Sequence, residues 1–144
     1  MKKLTKNKLL KNLIYRRAMV VTTMALHKII TDDKLFNQCE TKHLNEYGIT
    51  STMYWTKIIE NAMNFIGWEN YIYAEQTDYI LRFAVVTIAS IFSTKFDILK
   101  RNRKKYDDPE ELMEEISIDV LESIFIFDEL YKRDFGTIRE DVPD

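Results

Sequence analysis

The sequence predicts an all-α fold, a single-domain bundle of about four main helices in which helices 3 and 4 form an antiparallel hairpin. The chain of 144 residues has only three Gly and two Pro, too few for the turns of a β fold. Apolar residues also recur at three- and four-residue spacing, which is the period of one helical face. Finally, the sequence Asp-Pro-Glu-Glu at 108–111 is a strong helix start.

Composition indicates one globular domain. Hydrophobic residues make up 46% of the chain and charged residues 31%, which is too apolar for a disordered protein and too charged for a membrane-embedded one. A chain of this length forms one ordinary core. We therefore predict a single helical domain over residues 1–136 and an acidic tail over residues 137–144.

Two observations predict a cytoplasmic protein without a membrane span. Lys11, Arg16 and Arg17 interrupt the apolar residues that follow the basic start, so this start differs from a signal peptide. The most apolar run, Ile80 to Phe92, contains Arg82 and is shorter than a spanning helix.

The first half of the chain predicts two main helices and one short helix between them. Apolar residues at helical spacing extend from about Lys6 to Ile30 and predict helix 1. A short helix is predicted over Leu35 to Tyr47, closed by Gly48. Helix 2 follows the Thr-Ser-Thr sequence at 50–52, whose side chains are good N-caps, and it ends at Gly67.

The second half predicts two longer helices. Trp68 to Tyr73 is short and aromatic, and we expect a packed connection there rather than a strand. Helix 3 is predicted from about Glu75 to Lys104. Helix 4 begins at Pro109 with Asp108 as its N-cap, and it continues until Gly136.

Charge is unevenly distributed along the chain. Residues 1–31 contain eight Lys or Arg and no acid, whereas residues 107–144 contain fourteen acids and three basic residues, a net charge of −11. We expect the basic start to pack beside acidic helix 4, within the chain or in a dimer. The alternatives are binding to nucleic acid or to an anionic membrane. A nucleic-acid-binding regulator would use Lys8, Lys11, Arg16, Arg17, Lys100, Arg101 and Arg103.

Carboxylates one helical turn apart form two groups that could hold Mg²⁺. The first is Glu75 with Asp78; the second, at the start of helix 4, consists of Glu111, Glu114, Glu115 and Asp119. The sequence from Leu112 to Ile116 resembles the start of the first motif of all-helical nucleoside triphosphate pyrophosphohydrolases of the MazG type, which implies a Mg²⁺-dependent hydrolase. The two carboxylate groups occur here in the reverse of that family's order. Acid-rich first turns are also common in ordinary helices, so a structural role is the alternative.

Large apolar side chains beyond those that one core stripe requires predict a protein interface. The run from Ile124 to Phe127 covers more of helix 4 than a single stripe. A dense aromatic cluster spans residues 54–73, from the first part of helix 2 into the connection that follows it. We predict an interface that includes Phe125, Ile126, Trp55, Trp68 and Tyr71.

The sequence offers no candidate for nucleophilic catalysis. It has no Gly-rich phosphate loop and no nucleophile elbow, and it contains one cysteine and two histidines. The leading hypothesis is a small helical interaction or adaptor protein that acts through protein–protein contacts, as a homodimer or with another protein, and without a cofactor. The alternatives are a Mg²⁺-dependent pyrophosphohydrolase-like enzyme and a nucleic-acid-binding regulator that uses basic helix 1.

Overall fold

Five α-helices lie in the two ranges that this computed structural model describes, residues 12–39 and 51–136. The helices are α1 (Leu13–Thr31), α2 (Asp33–Gln38), α3 (Ser51–Ile66), α4 (Thr77–Arg101) and α5 (Pro109–Phe135). Turns of 3₁₀ helix occupy Trp68–Tyr71, Ala74–Gln76 and Lys105–Asp107. These described ranges contain no strand, and α1, α3, α4 and α5 are the four main helices, so the predicted all-α bundle is confirmed.

The start of α5 lies where the sequence predicts it. The Asp108 carboxylate accepts a hydrogen bond from the Glu110 amide at 3.0 Å, and Pro109 occupies the first helical position. The Glu111 carboxylate lies 3.7 Å from the ammonium group of Lys105. This contact links the turn before α5 to the first turn of the helix.

Other helix boundaries differ in detail from the sequence prediction. Gly67 ends α3 with φ of 66°, the left-handed conformation expected of a glycine stop. The short helix is α2, which begins at Asp33 and ends after six residues, earlier than predicted. The predicted parts of helix 1 before residue 12, the glycine stop at 48 and the tail over 137–144 lie outside the described residues.

α1 is the central helix, because α3, α4 and α5 all pack against it. One stripe of its apolar residues recurs at three- and four-residue spacing and is fully buried, as predicted from the sequence; it includes Ile14, Ala18, Val21, Ala25 and Ile29. The two alanines present little side-chain volume, so neighbouring helices can approach α1 closely. The core therefore surrounds the first long helix of the chain.

α4 and α5 lie side by side with opposite directions. At one end, the rings of Tyr79 and Phe127 meet edge to face, with centroids 5.3 Å apart. Further along, the ammonium group of Lys95 lies 2.8 Å from the carboxylate of Asp119. Contacts thus run from the start of α4 to the end of α5, and from the second half of α4 to the first half of α5.

α1 also runs opposite to α5. The Tyr15 hydroxyl group, in the first turn of α1, donates a hydrogen bond to Asp128 in the last third of α5. At the other end of α1, the His27 ring donates through Nε2 to the backbone carbonyl of Asp107 at 2.9 Å. His27 thereby joins the end of α1 to the turn that precedes α5.

Within the described residues, one segment is long and apolar enough to cross a membrane by length and composition alone. It extends from Ala74 to Arg101 and contains α4. In its most apolar window, 44% of the residues are buried inside the domain. Core helices of soluble proteins have the same length and composition.

Candidate interaction surface on α4 and α5

A groove with a mostly apolar lining lies between α4 and α5. It encloses about 480 Å³. Its apolar lining consists of Leu81, Val85, Val86, Phe127, Leu130 and Phe135. The first three belong to α4 and the others to α5, so the groove follows the seam between the two helices.

The edges of this groove leave large apolar side chains in contact with water. Val86 is 54% exposed, Leu130 is 45% exposed and Phe135 is 55% exposed. Ile126, one helical turn before Leu130 on α5, is also 55% exposed. Single exposed apolar residues are ordinary, but a contiguous set of them indicates a contact surface. We call Val86, Ile126, Leu130, Phe135 and the groove lining the α4–α5 surface.

Polar side chains organise one end of the α4–α5 surface. The Asp78 carboxylate accepts a hydrogen bond from the Arg82 guanidinium at 2.8 Å and another from the Tyr131 hydroxyl group at 3.1 Å. The Arg82 guanidinium lies over the ring of Phe135, 4.7 Å from its centroid. Burial raises the pKa of Tyr131, and its hydrogen bond to Asp78 acts in the same direction. These contacts hold the exposed Phe135 ring against α4.

The predicted interface residues on α5 have different surroundings. Ile126 lies on the surface and Phe125 is half-buried, whereas Ile124 is fully buried and Phe127 packs against the core. A run of four apolar residues extends around a helix, so it cannot face one neighbour only. Ile126 is therefore the member of the run that is most available to a second protein.

The two predicted interface tryptophans are core residues, which corrects the prediction for them. Trp55 is 8% exposed and stacks on Phe92 of α4, with ring centroids 5.4 Å apart. Trp68 is 6% exposed and lies in the turn after α3. The rings of both tryptophans therefore pack inside the domain. Tyr71 is 42% exposed in the same turn and does not line the groove.

Asp128 is a buried acid whose role the sequence analysis missed. Its Oδ2 atom accepts the hydrogen bond from Tyr15 at 2.5 Å and lies 2.9 Å from the ammonium group of Lys132. The ion pair compensates a carboxylate that is only 7% exposed. A signal was present in the sequence, because Asp128 follows Val120 and Ile124 at four-residue spacing and therefore lies on their buried stripe.

The structure separates the two carboxylate groups that could hold Mg²⁺. Asp78 lies at the start of α4, beside the end of α5. In the second group, the carboxylates of Asp119 and Glu115 lie 2.8 Å and 3.9 Å from the ammonium group of Lys95. Asp78 and Lys95 are 17 residues apart on α4, a rise of about 25 Å. The two groups therefore do not form one site within a chain.

The other carboxylates proposed for Mg²⁺ do not converge either. Glu75 is exposed in the turn before α4, Glu114 is exposed on α5, and Glu111 lies beside Lys105. The hydrogen bond to Asp119 raises the pKa of Lys95, so this cation stays charged beside Asp119 and Glu115. Within residues 12–39 and 51–136, no group of three or more His, Cys, Asp or Glu is arranged to hold a metal ion.

The basic residues proposed for nucleic acid lie at two ends of the bundle. The Arg17 guanidinium lies 4.5 Å from the centroid of the Tyr73 ring, and Arg103 donates to the carbonyl of Ile30 at 2.6 Å. Arg17 and Ile30 are 13 residues apart on α1, a rise of about 20 Å. Arg16 is next to Arg17 in the chain, and Lys100 and Arg101 are close to Arg103. Lys8 and Lys11 lie outside the described residues.

Comparisons of the chain with protein-family models, with curated proteins and with solved structures found no match. The geometry and chemistry of the described side chains therefore carry the proposals that follow.

Proposed function

We propose that the protein is a small helical interaction protein that forms a homodimer through the α4–α5 surface. The observation that carries the proposal is the exposure of Val86, Leu130 and Phe135 around one apolar groove, with exposed Ile126 one turn before Leu130 on α5. Contact with a second copy removes these side chains from water, and buried apolar area stabilises a complex by about 25 cal/mol per Å² before the costs of association.

The charges of α5 support a second copy of the same chain as the partner. The first two turns of α5 and its middle carry acids, including Glu114 and Glu122. Its last turn carries Lys132, which pairs with Asp128, and Arg133, which pairs with Asp134. A two-fold axis across the α4–α5 surface pairs two α5 helices in opposite directions. Arg133 of each helix, 70% exposed, then lies beside the acidic part of the other helix.

Ile126 is the natural centre of this arrangement, because it is exposed and lies between the acids of the first half of α5 and Arg133. In an antiparallel pair centred there, Arg133 of one copy lies opposite Asp119 of the second copy, within about one turn of its Glu122. Leu130 and Phe135 of each copy extend the apolar contact on both sides of the axis. Attraction between these end charges favours the antiparallel direction over the parallel one.

Light scattering on the unmodified protein and on two matched valine variants tests the proposal. Val86→Asp places a charge inside the proposed contact, and Val20→Asp places the same charge at a position of α1 that is 39% exposed and away from the groove. We expect the unmodified chain and Val20→Asp to have twice the 17.2 kDa mass of one chain. We expect Val86→Asp to weaken the dimer by more than about tenfold, since it buries an unpaired charge.

Two results would contradict the proposal. One is a single-chain mass for the unmodified protein at all concentrations up to about 100 μM, far above the dissociation constants of stable homodimers. The other is an equal loss of mass in Val20→Asp and Val86→Asp when circular dichroism shows that both variants are folded. An equal loss of dimer mass would mean that the contact lies elsewhere on the protein or that dimerisation depends only on net charge.

A further inference from the structure

A second groove lies at the opposite end of the α4–α5 pair, around the turn between the two helices. It encloses about 630 Å³ and has no part in the proposed dimer contact. Its basic lining consists of Lys100, Arg101, Arg103, Lys104 and Lys105. We call these five residues the basic turn. The density of positive charge in six successive positions, 100–105, requires an explanation beyond the fold.

Stabilisation of the helix dipole accounts for only part of the basic turn. Lys100 and Arg101 belong to the last turn of α4, where a cation contributes about 0.3–1 kcal/mol. Lys104 and Lys105 follow the last helical residue, and the dipole effect falls off within that last turn. Their charges therefore do little for the stability of α4.

Two members of the basic turn are already engaged within the domain. The Arg103 guanidinium lies 2.7 Å from the Asp33 carboxylate and 4.4 Å from the centroid of the Phe36 ring. The Lys105 ammonium group lies 3.7 Å from the Glu111 carboxylate. These contacts fix the turn against α2 and α5. They also neutralise Asp33, one of the two acids that line the groove.

Arg101 and Lys104 are the members that the fold leaves available. Both are exposed, both line the groove, and neither forms an ion pair with any residue in 12–39 or 51–136. The acid that faces them is Asp107, whose backbone carbonyl is bound by His27. Together with exposed Lys100, they give the groove an excess of positive charge over the single carboxylate of Asp107.

We propose that the basic turn binds the phosphate backbone of single-stranded nucleic acid. An open groove lined by cations at successive positions suits a flexible chain that carries one negative phosphate per nucleotide. Double-stranded DNA fits less well, because the turn presents no helix or β-ribbon to a major groove. Contacts to phosphate carry no sequence information, so the binding is independent of base sequence. Arg16 and Arg17 take no part, since they lie about 20 Å away along α1.

Fluorescence anisotropy with a labelled oligo-thymidine of about 12 nucleotides tests this proposal. With Arg101 and Lys104 on phosphates, we expect affinity to fall about 7-fold between about 50 mM and about 200 mM salt. The double variant Arg101→Gln/Lys104→Gln should lose most of the binding at low salt. The control Arg16→Gln/Lys57→Gln removes the same amount of charge elsewhere on the surface, and we expect it to bind as tightly as the unmodified protein. Thermal unfolding checks that both variants are folded.

Three results would overturn the proposal. The first is the absence of binding at low salt. The second is an equal loss of affinity in both double variants, which would indicate a response to net charge alone. The third is competition by a poly-glutamate peptide at the same concentration of charge as unlabelled oligo-thymidine, which would assign the basic turn to an acidic protein. None of these results depends on whether the protein is a dimer.

Discussion

The hydroxyl group of Tyr15 and the carboxylate of Asp128 join the two ends of the described chain through a hydrogen bond of 2.5 Å. Tyr15 lies in the first turn of α1, and Asp128 lies 113 residues later on α5. Both residues are buried, and Lys132 provides the charge that opposes Asp128. This contact fixes the part of α5 that carries Ile126 and Leu130, so it orders the α4–α5 surface.

Replacing Tyr15 by Phe should lower the free energy of unfolding by about 1.5–3 kcal/mol, because a buried hydrogen bond to a charged group is lost. Urea unfolding of the variant and the unmodified protein measures the change. Tyr71→Phe is the matched control, since Tyr71 is exposed, and it should change stability by less than about 0.5 kcal/mol. Equal effects of the two substitutions would show that the bond to Asp128 contributes nothing specific.

Tyr79 makes stability sensitive to alkaline pH. Burial raises the pKa of this tyrosine well above its ordinary value of 10.0, and the negative charge of Asp128 adds to the effect. Below pH 10 both the folded and the unfolded states keep the proton. Above it the unfolded state releases the proton and the folded state does not, so stability falls by about 1.4 kcal/mol per pH unit.

Urea unfolding between about pH 9 and pH 11.5 measures this loss of stability. Tyr79→Phe should show a shallower decline than the parent chain. Both should carry Cys39→Ala, because burial also raises the pKa of the Cys39 thiol. Parallel declines in the two chains would rule out Tyr79 as the source of the alkaline sensitivity.

Arg103 and Arg101 are close in sequence, but we expect removal of Arg103 to lower stability much more than removal of Arg101. Arg103 bonds the Ile30 carbonyl, pairs with Asp33 and covers the Phe36 ring, whereas Arg101 is exposed. We expect Arg103→Ala to cost about 1–3 kcal/mol, since it leaves partners unpaired and removes packing. Arg101→Ala should stay within about 0.5 kcal/mol. Thermal or urea unfolding distinguishes them, and a larger loss from Arg101→Ala would contradict the assignment.

A charge exchange tests the direction of the proposed dimer. Arg133→Glu and Glu122→Lys should each weaken self-association, because each places like charges together in an antiparallel pair of α5 helices. The double variant restores opposite charges and should recover part of the affinity in sedimentation experiments at low salt. Additive weakening in the double variant would exclude the antiparallel arrangement centred near Ile126.

Local signals in the sequence predict the helices well. The start of α5 follows from Asp108 and Pro109, and the end of α3 follows from Gly67, because caps and left-handed glycines act within one or two turns. The apolar stripe of α1 is equally local. The six-residue length of α2 was not predictable in this way, because no strong stop follows its last residue, Gln38.

Features of the surface depend on contacts between distant residues, and the sequence predicts them poorly. Ile126 is exposed as expected, but Trp55 and Trp68 are buried because α4 and α1 cover the aromatic cluster. The structural role of Arg103 depends on Ile30, which lies 73 residues earlier. Periodicity assigns a residue to a face of its helix, but the neighbour that covers this face is set by the packing of the whole bundle.

Cysteine cross-linking at Ile126 tests the central claim most directly. In a Cys39→Ala background, Ile126→Cys places a thiol at the proposed two-fold axis, and Val20→Cys places one on α1 as a control. Disulfides form only between Cα atoms within about 7 Å. We expect mild oxidation to convert Ile126→Cys to a covalent dimer of twice 17.2 kDa and to leave Val20→Cys as single chains. Absence of the Ile126→Cys dimer, or equal cross-linking at both positions, would contradict self-association through the α4–α5 surface.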